Sequence, residues 1–82
     1  MEENLTLVKR KYRIAEIINK YSQQTIYMLR RRIATDCNVG ERTVRLWEQI
    51  ESGHSWTLTN AQLESVARHL NVQVSDLLTE GN

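Results

Sequence analysis

The chain has 82 residues and a mass of 9.6 kDa, a size that supports one domain over residues 1–82 and excludes an enclosed cofactor site with its own cap domain. It is 40% hydrophobic, 26% charged and free of proline, which excludes a disordered chain and favours helices. No segment approaches the roughly 20 apolar residues of a membrane-spanning helix. Cys37 is the one cysteine and cannot form an internal disulfide, so we expect a reduced, cytoplasmic protein.

Charge is divided unevenly along the chain, although the net charge is only +1. Residues 1–45 hold ten lysines and arginines against five carboxylates, whereas residues 46–82 hold one arginine against five carboxylates. Such an asymmetry indicates either a polyanionic partner or a solvated basic face. Charge alone does not decide between these two interpretations.

Two helices are predicted in the N-terminal half. Apolar spacing indicates a first amphipathic helix over about residues 5–21. Its apolar face is one of two sets, Val8, Tyr12, Ala15 and Ile18, or Ile14, Ile17, Ile18 and Tyr21. A second helix is expected over about residues 26–37, with Ser22 or Thr25 as a cap. Its inward positions are Ile26, Leu29 or the stem of Arg30, Ile33, Ala34 and Cys37.

A three-residue turn, Asn38-Val39-Gly40, separates this helix from a third, over about residues 41–50. Asparagine tolerates the left-handed conformation that ends a helix, and glycine is an acceptable N-cap. Val44 and Trp47 face inward in the third helix, with Trp47 expected in the core, and residues 51–57 form a loop.

The fourth helix carries the clearest local signals. Thr59-x-x-Gln62 is a capping box, and the apolar residues that follow it recur at helical spacing up to Asn71, which ends the helix. These residues are Leu63, Val66, Ala67 and Leu70. A short final helix is expected to pack on the core through Val72, Val74, Leu77 and Leu78.

So short a turn makes the second and third helices cross steeply, with Ala34 at their close approach and Val39 at the corner. The third helix then directs five side chains outward: Glu41, Arg42, Arg45, Leu46 and Gln49. This set suits a DNA major groove, because arginine binds guanine, glutamine binds adenine and glutamate accepts from cytosine.

Residues 33–48 resemble the helix-turn-helix of lambda-repressor-like (Xre-type) regulators. The matching parts are Ile33-Ala34, the turn that ends in Val39-Gly40, and then Thr43-Val44 and Trp47-Glu48. Residues 59–78 resemble that family's fourth and fifth helices more closely, through Leu-x-x-Val-Ala-x-x-Leu-Asn-Val and the Asp-Leu-Leu ending. The resemblance covers about residues 7–78. It implies an all-α, five-helix domain in which the third helix is the recognition helix.

By position, the resemblance implies that Glu41, Arg42 and Arg45 contact bases, with Gln49 near the groove edge. It places Thr43 and Arg30 near phosphates, and Arg31 joins them as part of the densest basic cluster, residues 30–32. The sequence also departs from the family. Arg30 stands where glutamine usually begins helix two, Asn38 stands where glycine is commoner, and the loop after helix three is longer by Gly53-His54-Ser55-Trp56.

The leading expectation is a sequence-specific DNA-binding transcriptional regulator of bacterial, phage or mobile-element type, bound to double-stranded DNA as a possible homodimer. We expect no cofactor, no small-molecule ligand and no membrane partner. The alternative is a protein-interaction module, an antitoxin or an adaptor, on the same fold; the acidic second half and Trp56, either a lid on the core or a partner surface, favour it.

An enzyme is disfavoured, because the sequence has no glycine-rich phosphate loop, no paired carboxylates in an apolar setting and no nucleophile with an obvious histidine partner. Cys37, His54 and His69 lack the spacing of a metal site, and Cys37 is expected to fill the core. Glu48 is expected to bond locally or near Arg45.

Overall fold

The computed structural model describes residues 9–79. Within this range the chain forms five helices, and its β-structure is limited to two isolated bridges. The helices are α1 Ile14–Ile18, α2 Gln23–Cys37, α3 Glu41–Trp47, α4 Asn60–Leu70 and α5 Val74–Leu77. The expectation of an all-α fold is confirmed for these residues. Within residues 9–79, every helix falls short of the length and apolar character that crossing a membrane requires.

The core lies where α2 packs against both α3 and α4. The α3 side chains predicted to face inward, Val44 and Trp47, are each 1% exposed. All four apolar positions predicted for α4 are buried as well, and Cys37 and Val39 pack against the edge of the core. Because Val44 and Trp47 are held inside, the rotation of α3 about its axis is set.

Local capping signals determine most helix ends. Asn38 and Asn71 both adopt the left-handed conformation, with φ of 58° and 61°, and end α2 and α4 as predicted. Both hydrogen bonds of the Thr59–Gln62 capping box are present. The Ser22 side chain accepts from the Thr25 backbone N–H, so α2 begins at Gln23, three residues earlier than predicted. Polar residues fill the solvent-facing first turn without breaking the helix.

The prediction of one long first helix over residues 5–21 is wrong for the residues described. Only Ile14–Ile18 is helical, and residues 5–8, including Val8, lie outside the described range. The segment before this helix is hydrogen-bonded to residues far away in the sequence. The Lys11 backbone N–H donates to the Ile50 carbonyl at 2.7 Å, and Tyr12 forms an isolated β-bridge with Leu78. Tyr12 is still a core residue, 3% exposed, but it enters the core from an extended segment.

The ends of α3 and α5 also differ from the predictions. α3 ends at Trp47, before the predicted Ile50, and a turn at residues 48–49 leads into the segment that pairs with Lys11. The Lys11 ammonium donates to the carbonyls of His54 and Trp56 and to the Thr57 hydroxyl, at 2.7, 3.2 and 2.8 Å. In α5, Leu77 is buried, whereas Leu78 lies beyond the helix and is exposed.

Candidate functional site

The outward face of α3 is the candidate site. Arg42, Arg45 and Leu46 are exposed, and their spacing places them on one side of α3. Gln49 is also exposed and lies in the turn after the helix, where it lines the same groove. Glu41 is exposed at the start of the same helix. The structure therefore brings together on one surface all four predicted base-contacting residues: Glu41, Arg42, Arg45 and Gln49.

Two guanidinium groups dominate this face. Neither Arg42 nor Arg45 has an ion pair or hydrogen bond with another group in the structure described, residues 9–79. With Tyr27 and Arg30 of α2 they line a shallow groove that also contains Glu41, Leu46 and Gln49. Both guanidinium groups are thus free to bind a ligand in or over this groove.

Arg30, which was predicted to contact phosphate, is engaged elsewhere. Its Nε and Nη2 donate to the two carboxylate oxygens of Glu48 at 2.8 and 2.9 Å. The Glu48 side chain is only 6% exposed, and the hydrogen bonds to it raise the pKa of Arg30. The pair clamps α2 to the end of α3. Glu48 therefore bonds to another helix, and the expectation of a local bond or one near Arg45 is wrong.

The other predicted phosphate-contacting residues lie at the surface, beside the start of α3. Arg31 is exposed, and its Nε lies 3.6 Å from a carboxylate oxygen of Glu41. Thr43 is half-buried in the first turn of α3. Arg31 thus has its partner on a solvated surface, where ion pairs contribute little and exchange readily.

Sequence reasoning missed two features of α2. Tyr27 is 59% exposed and lies beside α3. The periodicity of α2 predicts that Tyr27 faces away from the buried Ile26, Leu29 and Ile33, but it does not predict which helix Tyr27 approaches. The second is Asp36, which joins α2 to α4 by accepting from the Ser65 hydroxyl at 2.6 Å and from Arg68, with His69 Nε2 at 3.3 Å. Its partners are about thirty residues away in sequence, and no local pattern indicates them.

Asp36 makes the stability of the α2–α4 contact depend on pH. The Ser65 hydrogen bond, then the charge of Arg68, hold the pKa of this carboxyl below its ordinary value. A carboxyl whose pKa is lowered by folding contributes stability above its unfolded pKa and loses it as pH falls through the folded pKa. Wild type is therefore expected to lose more stability than Asp36→Asn as pH falls below about 4.

Urea unfolding midpoints of the two proteins, measured from pH 7 to the acid limit of folding, check this expectation. Glu16, whose pKa is lowered by Arg13, is the same in both proteins, so its titration cancels from the comparison. Parallel curves for the two proteins would show that the Asp36 carboxylate contributes no pH-dependent stability.

The three residues weighed as a metal set lie apart. Cys37 packs on the core, His54 Nδ1 accepts from the Trp56 backbone N–H at 3.0 Å, and His69 faces Asp36. No cluster of three potential metal ligands occurs between residues 9 and 79. The exposed surface at α3 offers two guanidinium groups, an amide and an apolar side chain. Comparison with known protein families, with curated proteins and with solved structures found no significant match to this chain.

Proposed function

We propose that the protein is a sequence-specific DNA-binding regulator of transcription, with α3 in the major groove of double-stranded DNA. The observation that carries the proposal is a pair of guanidinium groups, Arg42 and Arg45, that have no partner among residues 9–79. They lie on the outer face of a helix anchored by buried Val44 and Trp47. Arginine is the residue that most often reads guanine in the major groove, through O6 and N7. An α-helix is about 10–12 Å across with its side chains, and the major groove, about 12 Å wide, admits it.

The remaining residues take roles that follow from their positions. Gln49 lies in the turn after α3, beside the same groove as Arg45, and is suited to adenine, whereas Glu41 accepts from a cytosine amino group. Arg31 exchanges its solvated contact with Glu41 for a phosphate, and Thr43 donates to the backbone. Arg30 is held by Glu48 and is therefore a positioning residue, which orients α3 relative to α2.

A lambda-repressor-like arrangement of the five helices is part of this proposal. The short turn between α2 and α3, the buried face of α4 and the paired Asn38 and Asn71 helix ends support it. α2 begins seven residues before Arg30, so it extends about two turns beyond the family's usual start. We expect this extension, which carries Tyr27, to alter the angle at which α2 crosses the DNA backbone.

Two copies of the chain are expected on the DNA. One helix of seven residues contacts few base pairs, and phosphate contacts supply most of the affinity but no sequence preference. Two copies on half-sites about one helical turn apart, ~34 Å, would double the specific contacts.

The test is selection of bound duplexes from a random DNA pool by the full chain, followed by fluorescence anisotropy on the selected and a scrambled sequence. The selected duplex is expected to bind on the order of a thousandfold tighter than the scrambled one, and binding to both is expected to fall steeply with salt. A chain that retains no duplex even at low salt would contradict the proposal.

A second candidate, a protein-interaction module, is favoured by one observation. Three exposed apolar side chains, Tyr27, Leu46 and Trp56, lie along the grooves that flank α3. On a protein partner these side chains would be buried together, and Arg42 and Arg45 would pair with carboxylates. Retention of a specific protein partner by the wild-type chain, with loss on Arg45→Ala and no binding to duplex DNA, would favour this candidate.

A further inference from the structure

We infer that Leu46 recognises the 5-methyl group of a pyrimidine, carried by thymine or by 5-methylcytosine, in the DNA major groove. The inference rests on the proposed function and deepens it, because it assigns a base preference to a residue that is neither charged nor polar.

Leu46 lies in the last turn of α3, on its outward side. It follows Arg42 by four residues and lines the same groove as Gln49, so its neighbours at this surface are groups suited to base edges. The side chain is 46% exposed. α3 already fills the core with Val44 and Trp47, and folding therefore does not require a leucine at this position.

The chemistry of the groove matches this side chain. Of the groups that unmodified base pairs present in the major groove, the thymine 5-methyl is the one apolar group, and cytosine methylated at C5 presents the same group. Leu46 lies between the groove lined by Arg42 and Arg45 and a second shallow depression lined by Gln49 and Trp56. A methyl group at this position would contact the apolar side chain of Leu46, and Arg42 and Arg45 would face the adjacent bases.

The experiment uses the duplex selected by the full wild-type chain, in which each thymine is replaced in turn by deoxyuridine. Removing the methyl that Leu46 contacts is expected to raise the dissociation constant about fourfold at one position per half-site. The Leu46→Ala variant is expected to bind the thymine and uracil duplexes equally. A parallel arm methylates each cytosine at C5; a fourfold gain for wild type alone, with no effect of uracil, would identify 5-methylcytosine as the source of the methyl.

Leu78→Ala is the matched control, because Leu78 is an exposed leucine on the C-terminal segment that pairs with Tyr12. It is expected to keep the full effect of the methyl group. Insensitivity of wild type to every uracil and every cytosine methyl, or the same sensitivity in Leu46→Ala, would overturn the inference while duplex binding stands. Absence of any duplex binding would overturn the proposed function and this inference together.

Discussion

Replacing Arg42 and Arg45 together with alanine is expected to weaken binding to the selected duplex by about 2–6 kcal/mol, since each bidentate arginine–base contact contributes about 1–3 kcal/mol of discrimination. Binding to scrambled duplex should fall much less, because phosphate contacts elsewhere supply the non-specific affinity. Since neither guanidinium group has a partner within residues 9–79, the double substitution leaves no carboxylate there without its ion-pair partner. Anisotropy titrations on both duplexes measure the effect, and thermal unfolding is expected to be unchanged.

The matched control keeps both charges and changes their shape. Arg42→Lys with Arg45→Lys preserves the positive field of α3 but lacks the planar fork that binds two acceptors at once. The lysine variant is expected to bind scrambled duplex as wild type does and to lose most of its preference for the selected site. If the double alanine variant still distinguished the two duplexes as wild type does, α3 would not be the recognition helix.

The sequence predicted the parts of the fold that depend on neighbours along the chain. The Thr59–Gln62 box, the left-handed asparagines and the burial of Val44 and Trp47 each follow from residues within one or two turns. Lys11 and Tyr12 could not be placed this way, because their partners, Ile50 and Leu78, lie 39 and 66 residues away. Tyr12 and Ile18 satisfy helical spacing while lying in different kinds of backbone, so periodicity alone predicted one continuous helix.

The same distinction applies to the candidate site. The outward direction of Arg42 and Arg45 was predictable, because two buried side chains on a short helix determine which side faces solvent. The different surroundings of Arg30 and Arg31 could not be predicted. The two are adjacent in one basic cluster, yet Arg30 pairs with buried Glu48 and Arg31 stays on the surface. That difference is created by the packing of α2 against α3, which no local pattern in residues 30–32 reveals.

Arg30→Met is therefore expected to lower the free energy of unfolding by about 1–3 kcal/mol, the cost of leaving a buried acceptor without its hydrogen bonds. The substitution keeps the apolar stem but leaves the Glu48 carboxylate, 6% exposed, without its two hydrogen bonds. Arg30→Met combined with Glu48→Met removes both charges, and the double variant is expected to recover most of the lost stability. Urea unfolding of the four proteins completes a double-mutant cycle.

The same variants separate two roles for Arg30. A phosphate-contacting arginine would leave stability unchanged on substitution and would reduce the salt dependence of DNA binding by about one unit of slope. A positioning residue gives the opposite pattern: a large loss of stability, and in the double variant an unchanged salt slope with weaker preference for the selected site. The second pattern is expected, because two nitrogens of Arg30 donate to Glu48 and the pair joins α2 to the end of α3.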